Sequence, residues 1–241
     1  MNFNFSFLNY RRNKNILNKI ILPTNIGNIS NNNINHMSNN TTANKNKWIV
    51  ILTTAVGVNG ENKYRKNLYV KQILKWLHYT DYYIYVIEST GVHLNITHER
   101  LKFVSFKLPK LASSSQSEAI SILHILNNIK NDPVYIDCTH ILKVTGRYFL
   151  HNINGVLNNC VPDLDVYIQH HYNYRIKWQN TEYFGIRKML LEKFLLTVVN
   201  EGLMEHKFYE FILKNKLNFT RIGPFVNNVA RGGDNIIINP L

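Results

Sequence analysis

Sulfur is nearly absent from this chain: 241 residues include two cysteines, Cys138 and Cys160. Two thiols exclude a disulfide framework and a four-thiolate zinc site, and they fit a reducing compartment, so both are read as packing residues. Long apolar runs are missing too. No stretch of about 18 apolar residues occurs, so no membrane-spanning helix is expected. Arg11 and Arg12 followed by Ile16 to Leu22 loosely suggest a leader. Ile20-Ile21-Leu22 is too short for its apolar core, however, and no small-residue cleavage site follows. A soluble, cytoplasmic chain is the expectation.

Acid is scarce at one end. Residues 1 to 47 hold six Lys or Arg and no Asp or Glu, giving +6, while the remainder holds 22 basic and 15 acidic residues, giving +7. A net charge of +13 points to anionic partners: nucleic acid, a membrane surface or phosphorylated small molecules. The excess is spread along the chain, and no RNP motif, zinc finger or basic zipper accompanies it, so nucleic-acid binding is the minor reading. Phosphate fingerprints are lacking as well. Thr53-Thr54-Ala55-Val56-Gly57 is not a P-loop and no GxGxxG occurs, which argues against ATPases, kinases and NAD enzymes.

What is present falls into two parts. Residues 1–46 are dominated by Asn, with low-complexity runs such as Asn31-Asn32-Asn33, and cannot bury enough apolar surface to offset ordering entropy. They are expected to be a disordered tail, dispensable for folding, with residues 47–241 forming one domain. Trp48 to Thr54 is a continuous apolar run, the pattern of a strand buried on both faces. Tyr64, Leu68, Ile73, Leu74 and Leu77 then recur at helical spacing. Tyr83–Ile87 and Phe103–Phe106 read as further strands. Ser115 and Glu118 have capping-box spacing before a helix carrying Ile120, Leu123, Ile125, Leu126 and Ile129. Val166–Gln169 reads as a strand, Ile186 to Val199 as a helix apolar on most faces, and Met204 to Leu213 as a short amphipathic helix. Alternation of this kind predicts an α/β fold with a mainly parallel sheet and helices on both faces.

The most informative stretch is Ile141 to Leu150, in which a β-branched run breaks at Thr145-Gly146 with Lys143 and Arg147 on either side. A strand ending in such a turn would set both cations at its carboxyl edge, where open α/β sheets bind ligands. An ordinary turn with two solvated cations is the plainer alternative. Gly146 would allow a positive φ or a close approach to a ligand.

Three ordered segments carry a resemblance. They are Leu52-Thr53-Thr54-Ala55 with Trp76-Leu77, Val86 to Gly91, and Ser113 to Ala119 leading to Lys143-Val144-Thr145-Gly146-Arg147-Tyr148-Phe149. Together they resemble a group of GT-A-like glycosyltransferases of microbial, algal and large-virus type that carry a Lys-x-Thr-Gly-Arg-Tyr segment. The likeness runs from about Trp48 to Asp234 and includes Glu182-Tyr183-Phe184-Gly185 and Met204-Glu205.

The resemblance implies a single Rossmann-like domain of GT-A type that moves a sugar from a nucleotide-sugar donor to a glycan or other hydroxyl acceptor. Lys143 and Arg147 would neutralise the leaving diphosphate, which Arg grips in two-point fashion. Thr53, Thr54, Thr145, Gly146, Ser115, Gln116 and Arg231 would contact the donor, and Glu88 its base or ribose. Glu205 would be the general base. A solvated loop acid at Glu88, a simple helix cap at Ser115 and a surface acid at Glu205 are the bland alternatives.

A divalent metal, Mn or Mg, would need carboxylates. The one Asp-x-Asp is Asp163-Leu164-Asp165, which can share a hard cation but is also common turn chemistry after Pro162. His170 and His171 are adjacent and would point to opposite faces of a strand, so they are not read as a ligand pair. Tyr172, Tyr174 and Trp178 would either stack on a sugar ring or pack. Two other functions fit the same residues: a degenerate, non-catalytic module of this fold that holds a nucleotide or glycan, and a basic nucleic-acid-binding protein.

Overall fold

The computed structural model describes residues 47–58, 62–109, 111, 113–160, 164–169, 177–223 and, as backbone, 172–173, 229–230 and 237–238. The expected tail 1–46, Asp163, His170, His171, Tyr174, Arg231 and the side chain of Tyr172 lie outside the described residues.

Strand β1 (Trp48–Thr54) is buried at all seven positions, as its unalternated apolar run requires. It lies between β2 (Tyr83–Glu88) and β4 (His140–Thr145), both parallel to it. With β3 (Leu101–Ser105), β5 (Val166–Gln169), β8 (Tyr183–Arg187) and β9 (Phe219–Ile222) these strands form a seven-stranded sheet in the order β3-β2-β1-β4-β8-β5-β9. Only β8 runs against its neighbours in this sheet. The short strands β6 (Tyr172–Asn173) and β7 (Trp178–Gln179) pair with each other, as do β10 (Val229–Ala230) and β11 (Ile237–Ile238).

The pleat divides the core in two. Ile49, Ile51, Tyr85, Ile87 and Ile141 face helices α2 (Ser114–Ile129), α5 (Lys188–Glu201) and α6 (Met204–Lys214). Val50, Leu52, Ile84, Val86, Leu142 and Val144 face α1 (Lys63–Tyr79) and α4 (Ile153–Asn158). The short α3 (Pro133–Asp137) starts at Pro133 with Asp132 as its cap, a position where proline's missing N–H costs nothing. The molecule is thus one mixed α/β domain with a mostly parallel sheet and helices on both faces.

Two expectations shift. The helix expected from Ile186 starts at Lys188, because Ile186 belongs to β8, a strand hidden within that apolar run. Periodicity alone cannot separate a buried strand from a buried helix. The helix cap also moves by two residues. Ser113, not Ser115, caps α2, its hydroxyl accepting from the Gln116 N–H at 3.1 Å. Glu118 is thereby released for another partner.

Gly185 in β8 shows how closely the layers meet. A Cβ there would lie 2.9 Å from the Trp48 ring and 3.1 Å from Tyr167 Cβ. Gly185→Ala is therefore expected to destabilise the domain by roughly 1–3 kcal/mol through overpacking. Urea unfolding measures this, and an unchanged midpoint would mean that the Trp48 ring swings clear.

Candidate functional site

From β1 the chain builds the sheet outward through β2 to β3, then returns to place β4 on the other side of β1. The carboxyl ends of β1 and β4 therefore flank a topological switch point, where sheets of this kind open a ligand crevice. Thr53 and Thr54 end β1, and Thr145, Gly146 and Arg147 leave β4 beside them.

The floor of the crevice is close-packed. The Gly146 N–H donates to the Thr53 carbonyl at 2.8 Å. A Cβ at Gly146 would lie 2.5 Å from the Thr54 methyl and 2.9 Å from that carbonyl. Glycine is thus needed for approach to β1, and it does not take the positive φ that the turn suggested. Thr54 donates its hydroxyl to the Ile87 carbonyl at 3.2 Å, and Thr145 N–H donates to the Glu182 carbonyl at 2.7 Å.

Lys143 is not at the edge. It sits inside β4 on the α2 face, fully buried, with its ammonium 2.8 Å from Glu118 Oε1 and 2.6 Å from the Thr181 carbonyl. Glu118 Oε1 also accepts from the Thr53 hydroxyl at 2.6 Å, and the Thr181 hydroxyl donates to Glu205 Oε1 at 3.1 Å. One chain of polar contacts thus runs Thr53, Glu118, Lys143, Thr181, Glu205 beneath the crevice. The expectation that Lys143 meets a diphosphate is corrected: the pleat turns it into the core, where its charge is held by Glu118. It positions the residues around it.

Glu88 is likewise spoken for. Fully buried, it accepts from Val56 N–H and the Thr90 hydroxyl at Oε1 and from the Thr90 and Val92 N–H groups at Oε2, all within 2.9 Å. It ties the loop after β1 to the loop after β2, so it is not a contact for a base or ribose. Ser115 and Gln116 lie buried at the start of α2, and Gln116 donates to the Val199 carbonyl at 3.2 Å. Burial makes both wall residues.

Asp165 is at the wrong edge. It precedes β5, at the amino end of the sheet, and its carboxylate pairs with Arg187 Nε at 3.0 Å and accepts from Asn218 N–H at 3.0 Å. Among the described residues no three His, Cys, Asp or Glu side chains converge as metal ligands. Asp165 is thus not placed to hold a cation at the carboxyl ends of β1 and β4. Trp178 packs edge-on against His206, with centroids 5.1 Å apart, and gives its N–H to Asn180.

Several wall residues escaped the sequence reading. Arg65, in the first turn of α1, reaches back to donate to the Ala55 carbonyl at 3.2 Å. Burial raises the Tyr69 phenol, and both Arg65 and Arg147 lie close enough to oppose that shift. Burial also pushes the Tyr148 phenol up to about 12, against the pull of the Arg147 guanidinium, while Glu182 adds to the rise. Arg65 and Arg147 thus both act on the buried Tyr69 phenol from the segments that follow β1 and β4. The signal in the sequence was the opening of α1: Lys63, Arg65 and Lys66 without an acid in the first turn, against the helix dipole.

No family model matches the chain, and no curated protein matches it. Among solved structures, it is similar to a glycosyltransferase involved in glycosylation of the major capsid of PBCV-1, at TM-score 0.50 and 11% identity over 73% of this chain and 82% of that one. A protein assigned as a nucleotide-diphospho-sugar transferase from Desulfovibrio desulfuricans G20 follows, at TM-score 0.49 and 10% identity over 73% and 80% of the two chains. The 4-diphosphocytidyl-2C-methyl-D-erythritol synthase from Anaerococcus prevotii DSM 20548 gives TM-score 0.46 and 11% identity over 73% and 89%. The PBCV-1 likeness places the fold in the GT-A type.

The buried pair makes an asymmetric prediction. Glu118→Ala strands a fully buried ammonium, for which the expected loss is roughly 3–5 kcal/mol. Lys143→Met leaves instead a carboxylate whose side chain is 23% exposed and still bonded to Thr53, so its loss should be smaller. Chemical denaturation of both variants decides the order, and the reverse order would mean that the lysine is not buried as an ion.

Proposed function

We propose that this chain is a nucleotide-sugar-dependent glycosyltransferase whose donor diphosphate lies in the crevice between the carboxyl ends of β1 and β4. The observation that carries the reading is that Arg147 leaves β4 directly after the Thr145-Gly146 step, which is hydrogen-bonded to the carboxyl end of β1 at that switch point. The GT-A type of the fold supports it. Thr53, Thr54, Thr145 and Gly146 form the floor beneath the diphosphate, and Arg147 supplies counter-charge as it leaves, with Arg65 beside it. Fixed cations aimed at developing phosphate charge act without reorganising in the reaction.

In the transfer, the acceptor hydroxyl oxygen forms a bond to the anomeric carbon while the bond from that carbon to the diphosphate oxygen breaks. The electron pair of the broken bond leaves with the nucleoside diphosphate. The hydroxyl proton passes to Glu205, which is half-exposed in the first turn of α6 and oriented by Thr181. No step is routed through a metal.

Arg147→Ala should weaken nucleoside-diphosphate binding by roughly 2–5 kcal/mol, the range for truncating one partner of a buried charge pair. Arg147→Lys should restore only part, because the planar two-point contact is gone. The bare nucleoside should be affected far less, and chelator should leave wild-type binding largely intact. Calorimetric titration of both ligands tests this. Equal, small losses for the two would return the segment to an ordinary turn.

Glu205→Gln keeps the shape of the side chain and loses its proton-accepting capacity. Turnover of a nucleotide sugar should fall by about 10²–10⁴-fold with donor affinity preserved. Wild-type turnover in that variant would dismiss Glu205 as the base.

A further inference from the structure

Helix α1 is basic along its length. Lys63, Arg65, Lys66, Lys71 and Lys75 fall within its 17 residues, which include no acid. The nearest following acid is Asp81, beyond its end. Its inner face is committed, with Tyr69, Ile73, Trp76 and Leu77 buried. The Trp76 N–H donates to the Tyr148 carbonyl at 2.9 Å, and Arg100 donates to the Leu77 and Thr80 carbonyls at its C-terminal end. A helix so anchored cannot rotate to hide its outer face.

That outer face mixes cations with apolar surface. Lys71, Leu74, Lys75 and His78 share it at i, i+3, i+4 and i+7. Tyr64 is 75% exposed, Leu74 50% and Tyr79 61%. Val70, Lys71, Leu74, Lys75, His78 and Tyr79 line a groove of about 440 Å³ along it. Exposed apolar residues scattered singly need no explanation, but these recur between cations on one anchored face.

We infer that the outer face of α1 docks on an anionic phospholipid bilayer surface, lying flat in the headgroup layer. Lysines four residues apart meet lipid phosphates, each strengthening association about fivefold. Leu74 and the two tyrosines enter the boundary below the headgroups, a depth that suits tyrosine's apolar ring and polar tip. Lysine stems cover apolar surface while their ammonium groups stay in the wet layer. A nucleic acid would reward the cations and leave Leu74 and Tyr79 unused, so the mixture selects lipid. With 17 residues and five cations, α1 lies on a bilayer and does not cross it; none of the described helices is long and apolar enough to do so. Because α1 starts beside the carboxyl ends of the strands, docking holds the crevice next to the bilayer. The inference stands on α1 alone and does not rest on the transferase reading.

Vesicle flotation of the full chain tests it without any activity readout. The wild type should float with phosphatidylcholine vesicles that contain phosphatidylglycerol, much less with phosphatidylcholine alone, and less as salt rises. Lys71→Ala with Lys75→Ala should bind roughly 25-fold more weakly, two steps of about fivefold. Leu74→Ser with Tyr79→Ser should lose roughly tenfold. Lys193→Ala with Lys216→Ala, at exposed positions away from α1, is the matched control and should bind like wild type. All three pairs change surface positions, and unchanged melting temperatures confirm the fold. Wild-type flotation by the Lys71/Lys75 pair, or equal losses for that pair and the control, overturns the inference. So does single-stranded RNA that binds more tightly than vesicles of equal phosphate content while Leu74→Ser with Tyr79→Ser alters neither.

Discussion

The ion pair between Lys143 and Glu118 is the constraint on which the rest of the crevice depends. A lysine in the middle of a strand buried on both faces would be intolerable alone, since an unpaired ammonium in the core costs several kcal/mol. Its charge is met at 2.8 Å by a carboxylate from α2, so the helix must sit at one height along the sheet. From that single contact follow the Thr53 hydroxyl at the end of β1, the Thr181 carbonyl ahead of β8, and through Thr181 the carboxylate of Glu205. Sheet, α2 and α6 are thereby held in one register at the carboxyl edge, where placement matters for chemistry.

Glu88 performs a parallel task one strand away. Its four accepted hydrogen bonds fasten the loops after β1 and β2. A buried carboxylate whose two oxygens accept four hydrogen bonds rigidifies the segments that donate to it. Both acids at the floor of the crevice are thus consumed by architecture. The cations nearest the carboxyl ends of β1 and β4 are the guanidiniums of Arg65 and Arg147, the side chains on which the proposed diphosphate contact rests. The same sign of charge continues down α1, so the crevice and the proposed lipid-facing surface belong to one electropositive side of the molecule.

Much of this was legible in the chain. The unalternated runs Trp48–Thr54 and Tyr83–Ile87 marked parallel, doubly buried strands, and the periodic residues from Tyr64 to Leu77 marked α1. A Thr-Gly break after β4, with Arg147 following, marked the edge where the crevice opens. The cation inside Ile141-Leu142-Lys143-Val144 also carried a readable message: a strand buried on both faces must pair such a charge. Its partner was not readable, because Glu118 lies 25 residues away and its capping-box spacing with Ser115 offered a local alternative that the fold declined.

What the sequence determined by itself was the class of fold, the strands of its centre and the sign of its surface charge, because burial periodicity and composition are local properties. Tertiary structure alone decided which charges face inward and which outward. The side-chain direction of Lys143 follows from the pleat in register with β1 and β8, and the fate of Asp165 from the edge at which β5 begins. The strand hidden at Tyr183–Arg187 became visible only through its pairing with β4 and β5. Pairing, edge and burial are relations between distant segments, and no window along the chain contains both partners.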